Sequence, residues 1–220
     1  MGNGSYPNNA VLSQGEMILV WVDSYSRQLV GRLYHPNGIP TTDSFNLFES
    51  INRYHYGVDV AAQANGGFIV AGLVSNKIMT QRFSPQGRLL GEPKQVSTIS
   101  TSSPGGIQQV TVIELTNQNY VVGWTSTGGQ DGDDYSAMAR VFDVNGNPIT
   151  EEIILSQTVE GRQQEVRLAP MVNGGFMALW QSRVDTVNSH WDIIARQFDD
   201  NGVPVNVEFS VTPGLSLIHI

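Results

Sequence analysis

The apolar positions of the chain form short runs that return in the same order four times. Each block has an aliphatic or aromatic strand, then a second apolar strand that closes on Phe or Tyr, then a glycine turn. The aliphatic or aromatic strand, labelled strand B below, is Met17–Trp21, Phe68–Gly72, Tyr120–Trp124 and Phe176–Trp180 in the four blocks. No segment carries a sustained 3.6-residue stripe, so the pattern predicts an all-β chain.

The turn glycines give the period of the repeat. They are Gly38, Gly87, Gly146 and Gly202, which stand 49, 59 and 56 residues apart. Each follows the aromatic residue at the end of its strand by four positions. A period of this length is typical of β-propeller blades and is too long for leucine-rich, ankyrin or tetratricopeptide repeats.

Each block divides into four strands, which we label A to D. In the third block they are residues 109–116, 119–126, 135–143 and 148–157. Tight turns rich in Asn and Gly join them, which indicates antiparallel hairpins and therefore one four-stranded blade per block. We expect a propeller-like array of four antiparallel blades in one repeat domain, residues 1–214. The blades should lie at about residues 5–52, 53–103, 104–160 and 161–214.

Two other all-β architectures remain as alternatives, a β-sandwich and, after it, an open β-solenoid. The B strands favour stacked blades because they are apolar on both faces, whereas a sandwich strand alternates more strictly. The second block departs from the others: Gly72 replaces the Trp, and Arg82 directly precedes Phe83 without the usual intervening residue. We expect its third strand to have lost or bulged one residue.

Composition excludes several classes of function. The net charge is −8 and the 12 Lys and Arg residues are scattered, so nucleic acid is not expected as a partner. There is no Cys, and no run is long and apolar enough to enter a membrane. The sequence contains no string typical of zinc proteases, serine hydrolases or P-loop enzymes.

The strings Gly174–Trp180, Ala139–Pro148 and Ala195–Pro204 carry a resemblance to a known repeat. They resemble β-propeller-type repeats of large secreted or surface-attached bacterial proteins, including calcium-associated adhesins. The resemblance implies an extracellular or cell-surface array used for attachment, and it implies no catalytic residue. An export signal would lie outside this chain. The repeated Trp, Arg and Phe are interpreted as scaffold, with the Arg bound by backbone carbonyls or by an Asp.

The last six residues, Leu215–Ile220, resemble a translated transposon end of the kind used to prepare sequencing libraries. This predicts a non-native tail at 215–220, in which His219 has no function. A native terminal strand is the alternative.

Function is sought where the four copies differ, which is chiefly the loop between strands B and C. From the Trp position to the C-strand aromatic the separations are 13, 11, 18 and 18 residues, so the loops of the third and fourth blades are longer. In a propeller they would stand side by side at one rim.

The two long loops contain candidate ligands for calcium and for a sugar. Hard oxygen ligands suit Ca²⁺, the one cofactor considered, and a solvated acidic turn is the alternative. The candidate metal ligands are Asp131, Asp133, Asp134 and Asp185. An aromatic platform beside polar groups suits a sugar ring, although Trp191 could equally cap its blade. The candidate ligand-binding residues are Tyr135, Trp191, His190, Asp192 and Asn188.

These features predict a non-catalytic binding module, not an enzyme, that recognises a glycan or an extracellular protein, with calcium as a candidate aid. The alternatives are a fragment of a carbohydrate-active propeller enzyme and a spacer in a long adhesin. Blades left open at the ends of the array would favour self-association.

Overall fold

The computed structural model describes residues 4–48, 57–74, 77–98, 107–183 and 190–212, and the statements below concern these residues. They form 16 strands in four separate four-stranded antiparallel sheets, each built from strands consecutive in the chain. The prediction of four four-stranded blades is confirmed. The predicted limits near 52/53 and 103/104, and the tail at 215–220, lie outside the described residues.

The strands of each blade are as follows. Blade 1 contains β1 (Gly4–Val11), β2 (Met17–Asp23), β3 (Gln28–Tyr34) and β4 (Phe45–Asn46). Blade 2 contains β5 (Val58–Ala62), β6 (Phe68–Val74), β7 (Lys77–Phe83) and β8 (Leu89–Gln95). Blade 3 contains β9 (Ile107–Glu114), β10 (Tyr120–Ser126), β11 (Ser136–Phe142) and β12 (Ile153–Ile154). Blade 4 contains β13 (Arg162–Pro170), β14 (Phe176–Arg183), β15 (Asp192–Phe198) and β16 (Phe209–Ser210).

The core lies between successive blades rather than within one sandwich. Buried apolar side chains of the described residues form one cluster between blades 1 and 2, one between blades 2 and 3, and one between blades 3 and 4. Strands β6 and β10 are buried on both faces, because their blades have a neighbour on each side. Strands β2 and β14 alternate between buried and partly exposed positions. The four blades therefore form an arc in which blades 1 and 4 each have one uncovered face.

The repeated aromatic residues hold each sheet together. The first residue of β6, β10 and β14 stacks on the last residue of the following strand. The pairs are Phe68–Phe83, Tyr120–Phe142 and Phe176–Phe198, with ring centroids 4.9, 5.0 and 5.0 Å apart and rings within 9° of parallel. These aromatics are scaffold, as the sequence indicates.

The repeated arginine joins neighbouring blades through backbone carbonyls. Arg140 donates from Nε to the Thr150 carbonyl at 2.9 Å and from Nη1 to the Val96 carbonyl of blade 2 at 2.9 Å. Arg196 makes the equivalent bonds to the carbonyls of Asn206 and of Leu155 in blade 3. These contacts agree with the interpretation of the repeated Arg as a scaffold residue.

In blade 2 a glutamine takes the position of this arginine. Gln81, opposite Val70, occupies the arginine position, and its amide donates to the Gly91 carbonyl at 3.1 Å. Strand β7 pairs with β6 without a break, whereas the register with β8 shifts between Thr80 and Arg82. Strand β7 has therefore neither lost nor bulged a residue against β6, contrary to the expectation, and the shift lies in β8, where three residues stand opposite Gln81.

The first strands of the blades form the inner edge of the arc. Across each blade boundary these are the strands that pack most closely: β1 with β5, β5 with β9 and β9 with β13. None of the described residues belongs to a helix long and apolar enough to cross a bilayer.

Candidate functional site

A backbone position with a positive φ angle recurs at the inner strand of every blade, and in blades 1, 3 and 4 it holds a residue other than glycine. Near the start of each inner strand one residue has a positive φ angle: Tyr6 (54°), Gly57 (90°), Gln109 (52°) and Glu165 (62°). Tyr6, Gln109 and Glu165 lie at β-bulges, where the pairing with the second strand shifts by one residue. A side chain in this conformation costs about 1 kcal/mol or more, and bulges re-aim side chains beside binding sites.

The residues two positions beyond the four positive-φ residues are polar in every blade. They are Asn8, Asp59, Thr111 and Arg167. Asp59 Oδ1 accepts a hydrogen bond from Asn8 Nδ2 at 2.5 Å, and Oδ2 accepts one from the Val112 amide at 2.8 Å. One carboxylate of blade 2 is therefore bonded to both neighbouring inner strands.

The environment of Asp59 raises the pKa of its carboxyl group. Burial raises the pKa of the Asp59 carboxyl above its ordinary value of 3.8. The amides of Val112 and Val60, the Thr111 hydroxyl and the charge of Arg167 act in the opposite direction without cancelling the shift. A carboxyl group made less acidic by burial is suited to hold or transfer a proton.

A second carboxylate, that of Glu165, lies on the bulge of blade 4. It accepts a hydrogen bond from the Gln109 side-chain amide, and the Glu165 backbone amide donates to Thr125 Oγ1 at 3.0 Å. It borders a cavity of about 250 Å³ on the uncovered face of blade 4. That cavity is lined by Glu165, Arg167, Leu179, Trp180, Gln181 and Ile193.

We name these inner-strand groups the inner-strand site: Tyr6, Asn8, Asp59, Gln109, Glu165 and Arg167. Together they supply two carboxylates, a guanidinium for an anionic or hydroxyl-rich ligand, amides for hydrogen bonding and an exposed aromatic ring. This combination is suited to a polar substrate with many hydroxyl groups, and carboxylates are the residues that most glycoside hydrolases use for catalysis.

The acidic loop of blade 3 is tied to the protein by each of its three aspartates. Asp131 Oδ1 accepts from Ser136 Oγ at 2.7 Å, and Asp133 Oδ2 accepts from the Gly161 amide at 2.8 Å. Asp134 Oδ2 lies 2.9 Å from Arg162 Nε. Each carboxylate thus has a different partner, and two of the three contacts fasten the loop to the start of blade 4.

The calcium hypothesis stays a prediction. Among the described residues no group of three or more His, Asp or Glu side chains is arranged to hold a metal ion. Asp185 and Asn188 lie outside the described residues. A calcium ion at this loop would compete with the existing partners of Asp131, Asp133 and Asp134.

The predicted aromatic residues of the two long loops lie at the same rim. Tyr135 forms a parallel bridge with Arg162, whose guanidinium carbon stands 5.0 Å from the Tyr135 ring centroid. Arg162 pairs with Arg183 across β13 and β14, and Arg183 stands 5.0 Å from the ring centroid of Trp191. His190 and Asp192 flank Trp191 and are exposed.

The inner-strand site was missed by sequence reasoning. The repeat is recognisable on the second and third strands, whereas the first strands share less, chiefly Ala10, Ala61 and Ala169. When the first strands are aligned by their pairing, Tyr6, Gly57, Gln109 and Glu165 fall in one column. These strands are rich in polar residues, so composition alone does not mark that column.

No protein-family model matches the chain, and no curated protein matches it. Solved structures do match. One is the α-L-arabinofuranosidase Arb93A of Fusarium graminearum, solved with an iminosugar inhibitor, at 9% identity, TM-score 0.67 and coverage of 95% of this chain and 66% of the enzyme. An ulvan lyase matches at 11% identity and TM-score 0.63 over 95% of this chain and 56% of the lyase. An α-L-arabinofuranosidase of Podospora anserina matches at 13% identity and TM-score 0.53 over 93% and 67%.

These likenesses show the fold, a β-propeller, and this chain spans 66% and 56% of the first two enzymes named. They correct one prediction from the sequence. The expectation that the chain is not an enzyme is wrong, because the solved proteins that share its architecture are glycoside hydrolases and a polysaccharide lyase. Repeated scaffold residues suggested an adhesin because they report the blade and not its chemistry.

Proposed function

We propose that this chain forms part of a carbohydrate-active β-propeller enzyme and that the inner-strand site binds and acts on a polysaccharide. The observation that carries this proposal is the occurrence of polar side chains on β-bulges with a positive φ angle at one equivalent position of blades 1, 3 and 4. A scaffold position repeats the same residue, whereas Tyr6, Gln109 and Glu165 differ while sharing a costly backbone conformation.

The chemistry of the inner-strand site supports a glycosidic bond as the target. Glu165 is partly exposed beside a cavity, so its carboxyl can reach a bound sugar. Asp59 is largely enclosed and bonded to three backbone or side-chain donors, which suits it to position neighbouring groups. We assign Glu165 as the proton-transferring carboxylate and Asp59 as a positioning residue.

The neighbours support saccharides as the substrate class. Their structures were solved with arabinobiose, with a glucuronate and sulfated rhamnose disaccharide, and with cellotriose. We extend the class to this chain as a proposal, with a polysaccharide as the partner and an extracellular or cell-surface location as predicted from the sequence.

The test compares the chain with its Glu165→Gln variant. Arabinobiose, arabinan, ulvan and cellotriose are offered, binding is measured by calorimetry, and cleavage is measured by chromatography of the products. Removing a proton-transferring carboxylate should lower cleavage about 100-fold or more while binding stays within a few-fold.

The matched control is Glu160→Gln, the same change at an exposed position before β13. It should leave binding and cleavage unchanged. The proposal fails if the chain neither binds nor cleaves any of these saccharides, or if Glu160→Gln and Glu165→Gln behave alike.

A further inference from the structure

Two arginines lie side by side between two aromatic rings at the rim beside the inner-strand site. Arg162 and Arg183 are directly opposite each other on β13 and β14. Tyr135 bridges to Arg162 on one side, and Trp191 stacks on Arg183 on the other. We call the four residues the arginine row. At about 4.8 Å between strands, the row is roughly 14 Å long.

We propose that the arginine row binds the anionic group of an acidic polysaccharide, either a carboxylate or a sulfate. The inference rests on the proposed function and names the substrate class of that enzyme. It predicts that the substrate is an acidic polysaccharide rather than a neutral one such as arabinan.

The first argument is the charge arrangement. Like charges at directly opposed positions of an antiparallel pair destabilise a sheet. This chain has only 12 cations and a net charge of −8, yet Arg162, Arg167 and Arg183 all lie on β13 and β14. Three cations concentrated on two strands of an acidic chain favour an anionic ligand at this rim over a neutral one.

The second argument is the geometry of the donors. A guanidinium offers a planar fork of N–H groups that matches carboxylate and sulfate oxygens. The Arg162 side chain is 37% exposed, although its Nε atom is buried. The Asp134 carboxylate already occupies the Nε side of that fork, at 2.9 Å, which shows that an oxyanion fits there.

The third argument is the pair of rings at the ends of the row. Both Tyr135 and Trp191 stand 5.0 Å from a guanidinium, which keeps each ring in place beside the charges. Trp191 is 39% exposed and offers an apolar surface for the C–H face of a sugar. A ring for the sugar and a fork for its acid group are what an acidic saccharide unit requires.

The row is also close to the inner-strand site. Arg162 precedes Glu165 by three residues on the same strand, a distance of roughly 10 Å. A chain held by its acid group at the row would therefore place a neighbouring unit near Glu165.

The experiment measures retention of the whole chain in native gels that contain polygalacturonate, dextran sulfate or neutral arabinan. Polygalacturonate presents carboxylates and dextran sulfate presents sulfates. We expect at least one acidic polymer to retain the protein, and we expect Arg183→Gln and Arg162→Gln each to weaken that retention about 10-fold. Retention by polygalacturonate alone assigns a carboxylate, and retention by dextran sulfate alone assigns a sulfate.

The matched control is Arg88→Gln, which removes one exposed cation from blade 2. It should not change retention, because it leaves the row intact. Arg183→Lys keeps the charge but not the fork, so it should retain the polymer only in part. Thermal unfolding of each variant identifies any that fail to fold.

Two outcomes overturn the proposal: no retention by either acidic polymer at low salt, or equal weakening by Arg88→Gln and Arg183→Gln. Its failure is distinct from failure of the proposed function. If the chain cleaves arabinan through Glu165 but ignores both acidic polymers, the enzyme proposal stands and the arginine row has another role.

Discussion

The second and third strands of each blade differ sharply from the inner strands. On the second and third strands, one packing arrangement recurs: the aromatic stack has the same spacing in blades 2, 3 and 4 within 0.1 Å. On the inner strands, one backbone conformation recurs with different side chains, Tyr6, Gly57, Gln109 and Glu165. Side chains that recur in each blade therefore identify the framework. Side chains that differ on the same backbone conformation identify positions where a functional site can lie.

The two regions also differ in how their polar groups are used. The guanidinium groups of Arg140 and Arg196 donate hydrogen bonds to backbone carbonyls within the protein. Glu165 instead borders a cavity and has a side-chain partner, Gln109, from the next blade. The framework arginines are bonded to carbonyls of the protein, whereas the groups of the inner-strand site can exchange partners with a ligand.

The largest expected effect comes from breaking the framework at Phe142. This ring is fully buried and stacks on Tyr120 at 5.0 Å. We expect Phe142→Ala to lower the free energy of unfolding by about 3–5 kcal/mol, because it removes a large side chain from a packed core. Urea unfolding followed by tryptophan fluorescence measures the change.

The matched control for Phe142 is Phe209→Ala on the outer strand of blade 4, where the ring is 44% exposed. Its cost should be about 0.5 kcal/mol or less. Similar losses at both positions would mean that the repeated stack is not what holds the blades together.

A smaller effect is expected when Arg140 is replaced by glutamine, the residue found at the equivalent position of blade 2. Gln81 occupies the equivalent position there and bonds within its own blade. Arg140→Gln should therefore keep an intrablade bond and lose the one to the Val96 carbonyl, at a cost of about 2 kcal/mol. Thermal and urea unfolding provide the measurement, with Arg88→Gln as the exposed control. If the two variants are equally stable, the interblade bond contributes nothing.

The framework could be read from the sequence because its residues recur. Trp, Arg, Phe and Gly at fixed spacing gave four blades of four strands, and strands apolar on both faces indicated stacked blades. Of the second strands, only β6 and β10 are buried at every position, because the outer faces of blades 1 and 4 have no neighbouring blade among the described residues. The arginine bonds to backbone carbonyls were likewise expected.

The candidate site was predictable only in part. Tyr135 and Trp191 were identified from loop length and lie at one rim, but their guanidinium partners were not foreseen, since Arg162 and Arg183 are 21 residues apart and meet only through strand pairing. Asp59 was missed because its role depends on Asn8 and Val112, each about 50 residues away in another blade. Contacts between blades do not appear in a repeat alignment.

The smallest expected effect concerns the pH dependence of stability. Asp59 on an inner strand and Asp23 at an outer turn should change the stability with opposite signs as pH rises. Burial raises the pKa of Asp59 above 3.8, so between 3.8 and the raised value the folded state binds more protons than the unfolded state. The stability that Asp59 contributes is then present at low pH and is lost as pH rises through the raised pKa. The Ser26 hydroxyl, at 2.6 Å, and the Tyr25 amide lower the pKa of Asp23, so its contribution is present above 3.8 and is lost as pH falls.

Urea unfolding of the chain, Asp59→Asn and Asp23→Asn between pH 3 and pH 7 tests this difference. As pH rises, Asp59→Asn should gain stability relative to the unmodified chain, and Asp23→Asn should lose it. Since Asn places an amide N–H₂ group against the donors around Asp59, the variant can be less stable at every pH, and the slope rather than the offset is the readout. Slopes of the same sign would mean that the inner strands do not desolvate Asp59, and its assignment as a buried positioning residue would fail.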